Sequence, residues 1–201
     1  MGNYYLLNAR RGWACVCVSK NACTSLKKAA LVDAGIAADD KAAIHDGIGY
    51  CDLSPFLRPV SSGKPPGYAS FAVWRDPVER FLSTYVHFAI DRSYQRNFAT
   101  VADLDLDGWI AYTESMLSGL PMDHDEHLRR QSDYYSPQDV DLILPIWALN
   151  RYFADQGWGQ LARINASSCC YDASSSQRER IRRLYEQDYA LVTSGLWTLR
   201  E

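Results

Sequence analysis

The run Ser19-Lys20-Asn21-Ala22-Cys23-Thr24-Ser25 puts one ammonium group, several hydroxyls and a row of backbone amides directly after an apolar stretch. If that stretch is a strand and the following residues open a helix, the unshared amides and the positive end of the helix form an anion site. A phosphate-type ligand is implied. The run is not a Walker A loop, G-x-x-x-x-G-K-[ST], because it has no glycine and its lysine precedes the turn, which demotes ATP hydrolysis. A second set of groups lies at Arg75 and Ser83, eight residues apart. In a helix opening at Pro77, Ser83 shares a face with Glu79 and His87 at i−4 and i+4. Arg75 and Ser83 can then share one phosphate.

The elements that must hold these groups are legible in the apolar periodicity. Residues 13–18 and 70–74 read as short apolar strands, and each is followed closely by a helix, over 24–32 and 77–89. Asp76 caps the second helix, Pro77 suits its first position and Glu79 stands three residues after the cap. Further on, the pattern predicts helices over 109–117 and 148–155 and strands over 141–144 and 161–164. A closing helix has Ile181, Leu184, Tyr185, Asp188 and Val192 inside and Arg178, Arg180, Arg182 and Arg183 outside. Strands alternating with helices predict an α/β fold of three layers, P-loop-like, with a mainly parallel central sheet flanked by helices. Such sheets bind ligands beyond the carboxyl ends of their strands, where both loops lie.

The 201 residues, with no internal repeat, are expected to form one domain over 1–201. A net charge of −3 disfavours nucleic acid as a partner, since duplex binders carry a basic surplus. The sequence has no apolar run of roughly 18 residues, and residues 1–11 carry charge where a signal peptide needs an apolar core. The expectation is a cytoplasmic protein without membrane insertion. The six cysteines, Cys15, Cys17, Cys23, Cys51, Cys169 and Cys170, occur as C-x-C and C-C pairs without a nearby histidine, unlike zinc spacings. Reduced thiols and no metal are expected, with Cys15 and Cys17 packing as small apolar groups in a strand.

V-S-K-N-A-C-T-S-L followed by A-V-W-R-D-P-V-E-R-F-L-S-T-Y resembles the family of PAPS-dependent sulfotransferases. The likeness is to the carbohydrate enzymes of the Golgi type and their bacterial relatives. It extends to Glu126-His127-Leu128-Arg129-Arg130-Gln131-Ser132-Asp133-Tyr134, to Arg163-Ile164-Asn165-Ala166-Ser167 and to Leu184-Tyr185 with Asp188-Tyr189. It departs at Ser19 and Arg130, both proline in the family.

The resemblance implies transfer of a sulfuryl group from PAPS (3′-phosphoadenosine 5′-phosphosulfate) to an acceptor hydroxyl on a carbohydrate, leaving PAP. It implies that Lys20 neutralises the departing phosphate oxygen, that Asn21, Ala22, Cys23, Thr24 and Ser25 hold the 5′-phosphate, and that Arg75 and Ser83 grip the 3′-phosphate. Arg163 and Ser167 would close over the nucleotide. His45 resembles the catalytic histidine that takes the hydroxyl proton, His127 and Arg129 would contact substrate, His124 is a loop residue and His87 lies on the Ser83 face. Two other readings remain: a P-loop kinase-like phosphotransferase, and a nucleotide-binding module without catalysis.

Overall fold

A computed structural model describes residues 3–49, 54–91, 103–120, 124–162, 164 and 171–193. Its centre is a five-stranded sheet in the order β3-β1-β2-β4-β5, built from β1 (Tyr4–Asn8), β2 (Trp13–Val16), β3 (Leu57–Pro59), β4 (Ala69–Trp74) and β5 (Leu142–Pro145). β2, β4 and β5 run parallel, whereas β1 pairs antiparallel with both β2 and β3. The sheet is therefore mixed, not mainly parallel. β1 and β2 form a hairpin through a tight turn closed by Gly12 at φ 68°, and β3 is too short for its periodicity to be seen.

The parallel part meets the expectation that matters for a site. Val16 pairs with Ala72 and Val73 with Leu144, so β2 and β4 end at the same rim and the chain leaves both there. All four residues of β2 are buried, as a central strand covered on both faces requires. β2 stops at Val16, so Cys15 packs in the core while Cys17 sits half-buried beyond the strand; both are free thiols. Cys51, Cys169 and Cys170 lie outside the described residues.

Seven helices surround the sheet: α1 (Cys23–Asp33), α2 (Lys41–Ile48), α3 (Pro77–Tyr85), α4 (Leu106–Leu117), α5 (Leu149–Asp155), α6 (Ser175–Leu184) and α7 (Glu186–Ala190), counted among the described residues. One sheet face, with Leu6, Trp13, Cys15, Phe71, Val73 and Leu144, packs on α1, α2 and α5. The other, with Tyr5, Ala14, Val16, Ala72 and Ile143, is covered by Tyr134, Tyr135, Val140 and Leu191 from turns and short 3-10 segments. α3, α4 and α6 build a second core of their own around Phe81, Trp109, Ile110, Ile181 and Tyr185.

Two predicted elements change form. The helix expected over 77–89 is α-helical to Tyr85 and continues as a π turn, Val86–Ile90, in which Asp91 N donates to Val86 O at 2.8 Å. The closing helix breaks at Tyr185, whose φ of −115° and ψ of 24° separate α6 from α7. Residues 161, 162 and 164 form no strand, and residue 163 lies outside the described set.

Candidate active site

Between β2 and α1 the chain turns through two left-handed residues, Lys20 at φ 71° and Ala22 at φ 61°. Side chains with a Cβ occupy that region at a cost of about 1 kcal/mol each, so glycine is the usual occupant. The missing glycines of a Walker loop therefore did not prevent the turn; lysine and alanine adopt its strained conformation. Ala22 is the N-cap of α1 and supplies no side-chain acceptor, so the helix's first amides are not used by a capping side chain. Strain held in place like this marks a position the surrounding structure over-determines.

What over-determines it is a buried amide. Gln131, fully buried, accepts through Oε1 from Asn21 Nδ2 at 2.6 Å and from Arg75 N at 3.1 Å, and its Nε2 donates to Arg75 O at 2.9 Å. Asn21 Nδ2 also donates to Val73 O at 2.7 Å, pinning the first loop to β4. Gln131 is held in turn by Asp188, also fully buried, whose carboxylate accepts from Gln131 N and Ser132 N, both at 2.9 Å. Finally Arg75 Nη1 donates to Lys20 O at 3.2 Å. The two loops are thus one hydrogen-bonded unit. Gln131→Leu strips partners from Asn21, Arg75 and Asp188 at once. It is expected to cost about 2–4 kcal/mol in denaturant unfolding, at roughly 1–3 kcal/mol per buried group left unpaired.

A second buried cation fixes the far wall. Arg80 on α3, 1% exposed, donates from Nε to Ser19 O (3.0 Å), from Nη1 to Arg129 O (2.8 Å) and from Nη2 to Glu126 O (3.2 Å). Thr84 Oγ1 donates to His127 O at 3.3 Å, Tyr185 Oη to Leu128 O at 2.6 Å, and Tyr134 Oη to Glu126 O. Four successive carbonyls of an irregular segment, 126–129, are each claimed by a side chain.

These walls enclose a cleft of about 540 Å³, within the range of small-ligand sites. Lys20, Cys23, Thr24, Ser25, Arg75 and Ser83 line it, and so do His45, His87 and His127. Burial, then Arg75, Lys41 and Arg80, push Lys20 down to about 8, while Cys23 acts in the opposite direction. Lys27 Nζ lies 3.3 Å from His45 Nδ1, and Lys41 Nζ 3.2 Å from His87 Nε2. Burial first, and then nearby cations, push both histidines down to about 4. His127 is arranged differently: its Nδ1 lies 3.1 Å from Asp125 Oδ1, and its ring stands edge-to-face against Phe88 at 4.9 Å.

The structure thus brings Lys20, Ala22, Cys23, Thr24, Ser25, His45, Arg75, Ser83, His127 and Arg129 to one cleft. Asn21 differs from the expectation. It is 2% exposed, its side chain is used by β4 and Gln131, and its amide donates to Val18 O at 3.2 Å, so it fixes the loop. Arg129 is likewise committed, to Asn3 and to the face of Tyr134 at 3.8 Å. His124 lines the cleft too, with Nε2 3.1 Å from Gly119 O. Arg163 and Ser167 lie outside the described residues. The roles of Lys27, Lys41 and Asp125 carried no spacing signal; those of Arg80 and Gln131 were present only as letters of the resemblance.

The chain matches the model of the Sulfotransferase family over residues 5–144, well over half its length and including both loops, His127 and Gln131. No curated protein and no solved structure gives a match. With the matched region containing the two cross-linked loops and most of the cleft they bound, the chain belongs to the sulfotransferase family.

Proposed function

We propose that the chain moves a sulfuryl group from PAPS to an acceptor hydroxyl on a carbohydrate, leaving PAP, and that the turn between β2 and α1 is a P-loop-like anion cradle. One observation carries this reading: a lysine on a strained turn at a helix start and an arginine–serine pair on the next loop line the same cleft, and Gln131 fixes the spacing between the two loops. A donor with phosphates at both its 5′ and 3′ ends needs two such grips, whereas ATP needs one. The donor set fits: Lys20, Lys27, Lys41 and Arg75 supply positive charge, and Thr24, Ser25 and Ser83 supply hydroxyls.

In this reading the bound donor supplies the activated sulfuryl group, and the chain's residues do the rest. Cys23, Thr24 and Ser25 hold the 5′-phosphate at the start of α1. Lys20 places its ammonium where negative charge grows as the phosphate oxygen leaves, a preorganised form of electrostatic stabilisation. Arg75 and Ser83 hold the 3′-phosphate, and a histidine of the cleft takes the hydroxyl proton. The test is transfer of labelled sulfate from PAPS to cellobiose and to chondroitin oligosaccharides. Label appearing in a sugar product supports the reading, and PAPS left intact with every acceptor and with water contradicts it.

Arg75→Ala removes one charged grip and the bond to Lys20 O. PAP affinity by calorimetry is expected to fall about ten- to a hundredfold, in line with roughly 1.5–3 kcal/mol for a charge-assisted hydrogen bond. Ser83→Ala is expected to cost only a few-fold.

A further inference from the structure

We propose that His127, oriented by Asp125, is the residue that removes the acceptor's hydroxyl proton, and that His45 and His87 serve the cleft as neutral hydrogen-bonding groups. This rests on the sulfuryl-transfer reading and assigns a role within it.

The argument is one of tautomers. A lysine ammonium only donates and a carboxylate only accepts, so each partner dictates which ring nitrogen carries the proton. Lys27 donates to Nδ1 of His45, which leaves the proton of the neutral ring on Nε2. Lys41 donates to Nε2 of His87, which leaves its proton on Nδ1. In both rings the basic nitrogen already faces an ammonium group, and a second proton there meets a like charge. His127 has the reverse arrangement. Asp125 Oδ1 accepts from both the ring Nδ1 (3.1 Å) and the backbone amide (2.8 Å) of His127, which puts the basic lone pair on Nε2. Nε2 lies 3.9 Å from Glu126 Oε1, so a proton arriving there lands between two carboxylates.

A general base must also be held still, and the segment carrying His127 has each of four successive carbonyls held by a side chain. Arg80, Thr84, Tyr134 and Tyr185 hold carbonyls 126–129, and Phe88 packs against the ring. The same cleft holds Lys20 and Arg75. The acceptor oxygen forms a bond to sulfur as the sulfur–oxygen bond to the 5′-phosphate breaks. The hydroxyl proton passes to Nε2 of His127, and the electron pair stays on the phosphate oxygen beside Lys20. Titratable groups facing His127 include Asp125 and Glu126 on its own segment, His87 after α3 and His45 on α2, and Lys20, Lys27 and Lys41 line the same cleft.

The test uses the full chain with two readouts. Long-range nitrogen–proton NMR of the protein, with and without PAP, is expected to show His127 protonated at Nδ1 and His45 at Nε2. Release of labelled sulfate from PAPS, with water as acceptor, is then followed against pH. Wild type loses rate at low pH, and His45→Gln keeps that loss even if slower. His127→Gln falls at least a hundredfold and loses the acid-side fall, while calorimetry still finds PAP bound. Asp125→Asn offers an amide donor to Nδ1, drives the proton to Nε2 and lowers the rate at least tenfold. The assignment is overturned if His127 is the Nε2-protonated tautomer, or if His127→Gln stays within threefold of wild type while the wild type turns over. A wild type that consumes no PAPS removes the sulfuryl-transfer reading, and the role of His127 falls with it.

Discussion

Lys20→Ala is expected to lower turnover of PAPS by about 10²–10³-fold while the KM for PAPS changes by less than tenfold. The ammonium acts on charge that exists fully only as the phosphate oxygen departs, so its loss appears in kcat more than in binding. The same group should set an alkaline limb. Burial and the neighbouring Arg75 and Lys41 bring Lys20 down to about 8, so the free enzyme loses its working ammonium form as pH rises past that value. kcat/KM for PAPS is expected to fall tenfold per pH unit above about 8. An anionic donor favours the ammonium form, so the limb on kcat lies at higher pH than the limb on kcat/KM. The sign for stability is opposite. A lysine whose folded value is lowered disfavours folding wherever it is charged, so Lys20→Met should raise Tm at neutral pH. Rate and stability thus move in opposite directions when the Lys20 ammonium is removed, and a Lys20→Ala enzyme with unchanged turnover would remove this loop from the chemistry.

Arg80→Met is expected to cost about 3 kcal/mol, a Tm lower by roughly 6–12 °C for a chain of this size, and to abolish detectable PAP binding. The carbonyls of Ser19, Glu126 and Arg129 all lose a buried donor together. Those carbonyls belong to two separate segments that both line the cleft, so what fails is the cleft's shape as well as the fold's stability. Arg80→Lys is expected to recover little of either, because one compact ammonium cannot span three carbonyls as a planar guanidinium does. Thermal unfolding and PAP calorimetry on both variants check this. A destabilised Arg80→Met that binds PAP as well as wild type would show that Arg80 supports the helix core and not the cleft.

The first loop and the Arg75–Ser83 pair were legible because both hang on local pattern: apolar strands, an Asp76–Pro77 helix start and a spacing of two helical turns. Their convergence followed from adjacent parallel strands. Three things were not legible, each for a physical reason. β1 and β3 lack a long alternating pattern, so the antiparallel half of the sheet was missed. The left-handed conformation of the first loop was not legible, since a lysine and an alanine, in a loop bound by Gln131 and Arg80, take left-handed turns that glycine would take freely. The histidine roles depend on which side chain faces each ring nitrogen, and that is decided by residues 18 to 46 positions away for His45 and His87. The break at Tyr185 has the same origin: tertiary bonds from its hydroxyl and from Asp188 outweigh a continuous helical stripe.

Calorimetry of the wild-type chain against PAP and 5′-AMP asks most directly whether two loops hold two ends of one nucleotide. The account predicts that PAP binds at least tenfold more tightly than 5′-AMP, and that Arg75→Ala removes most of that difference. Equal affinities for the two nucleotides, in a wild-type protein that binds both, would contradict it.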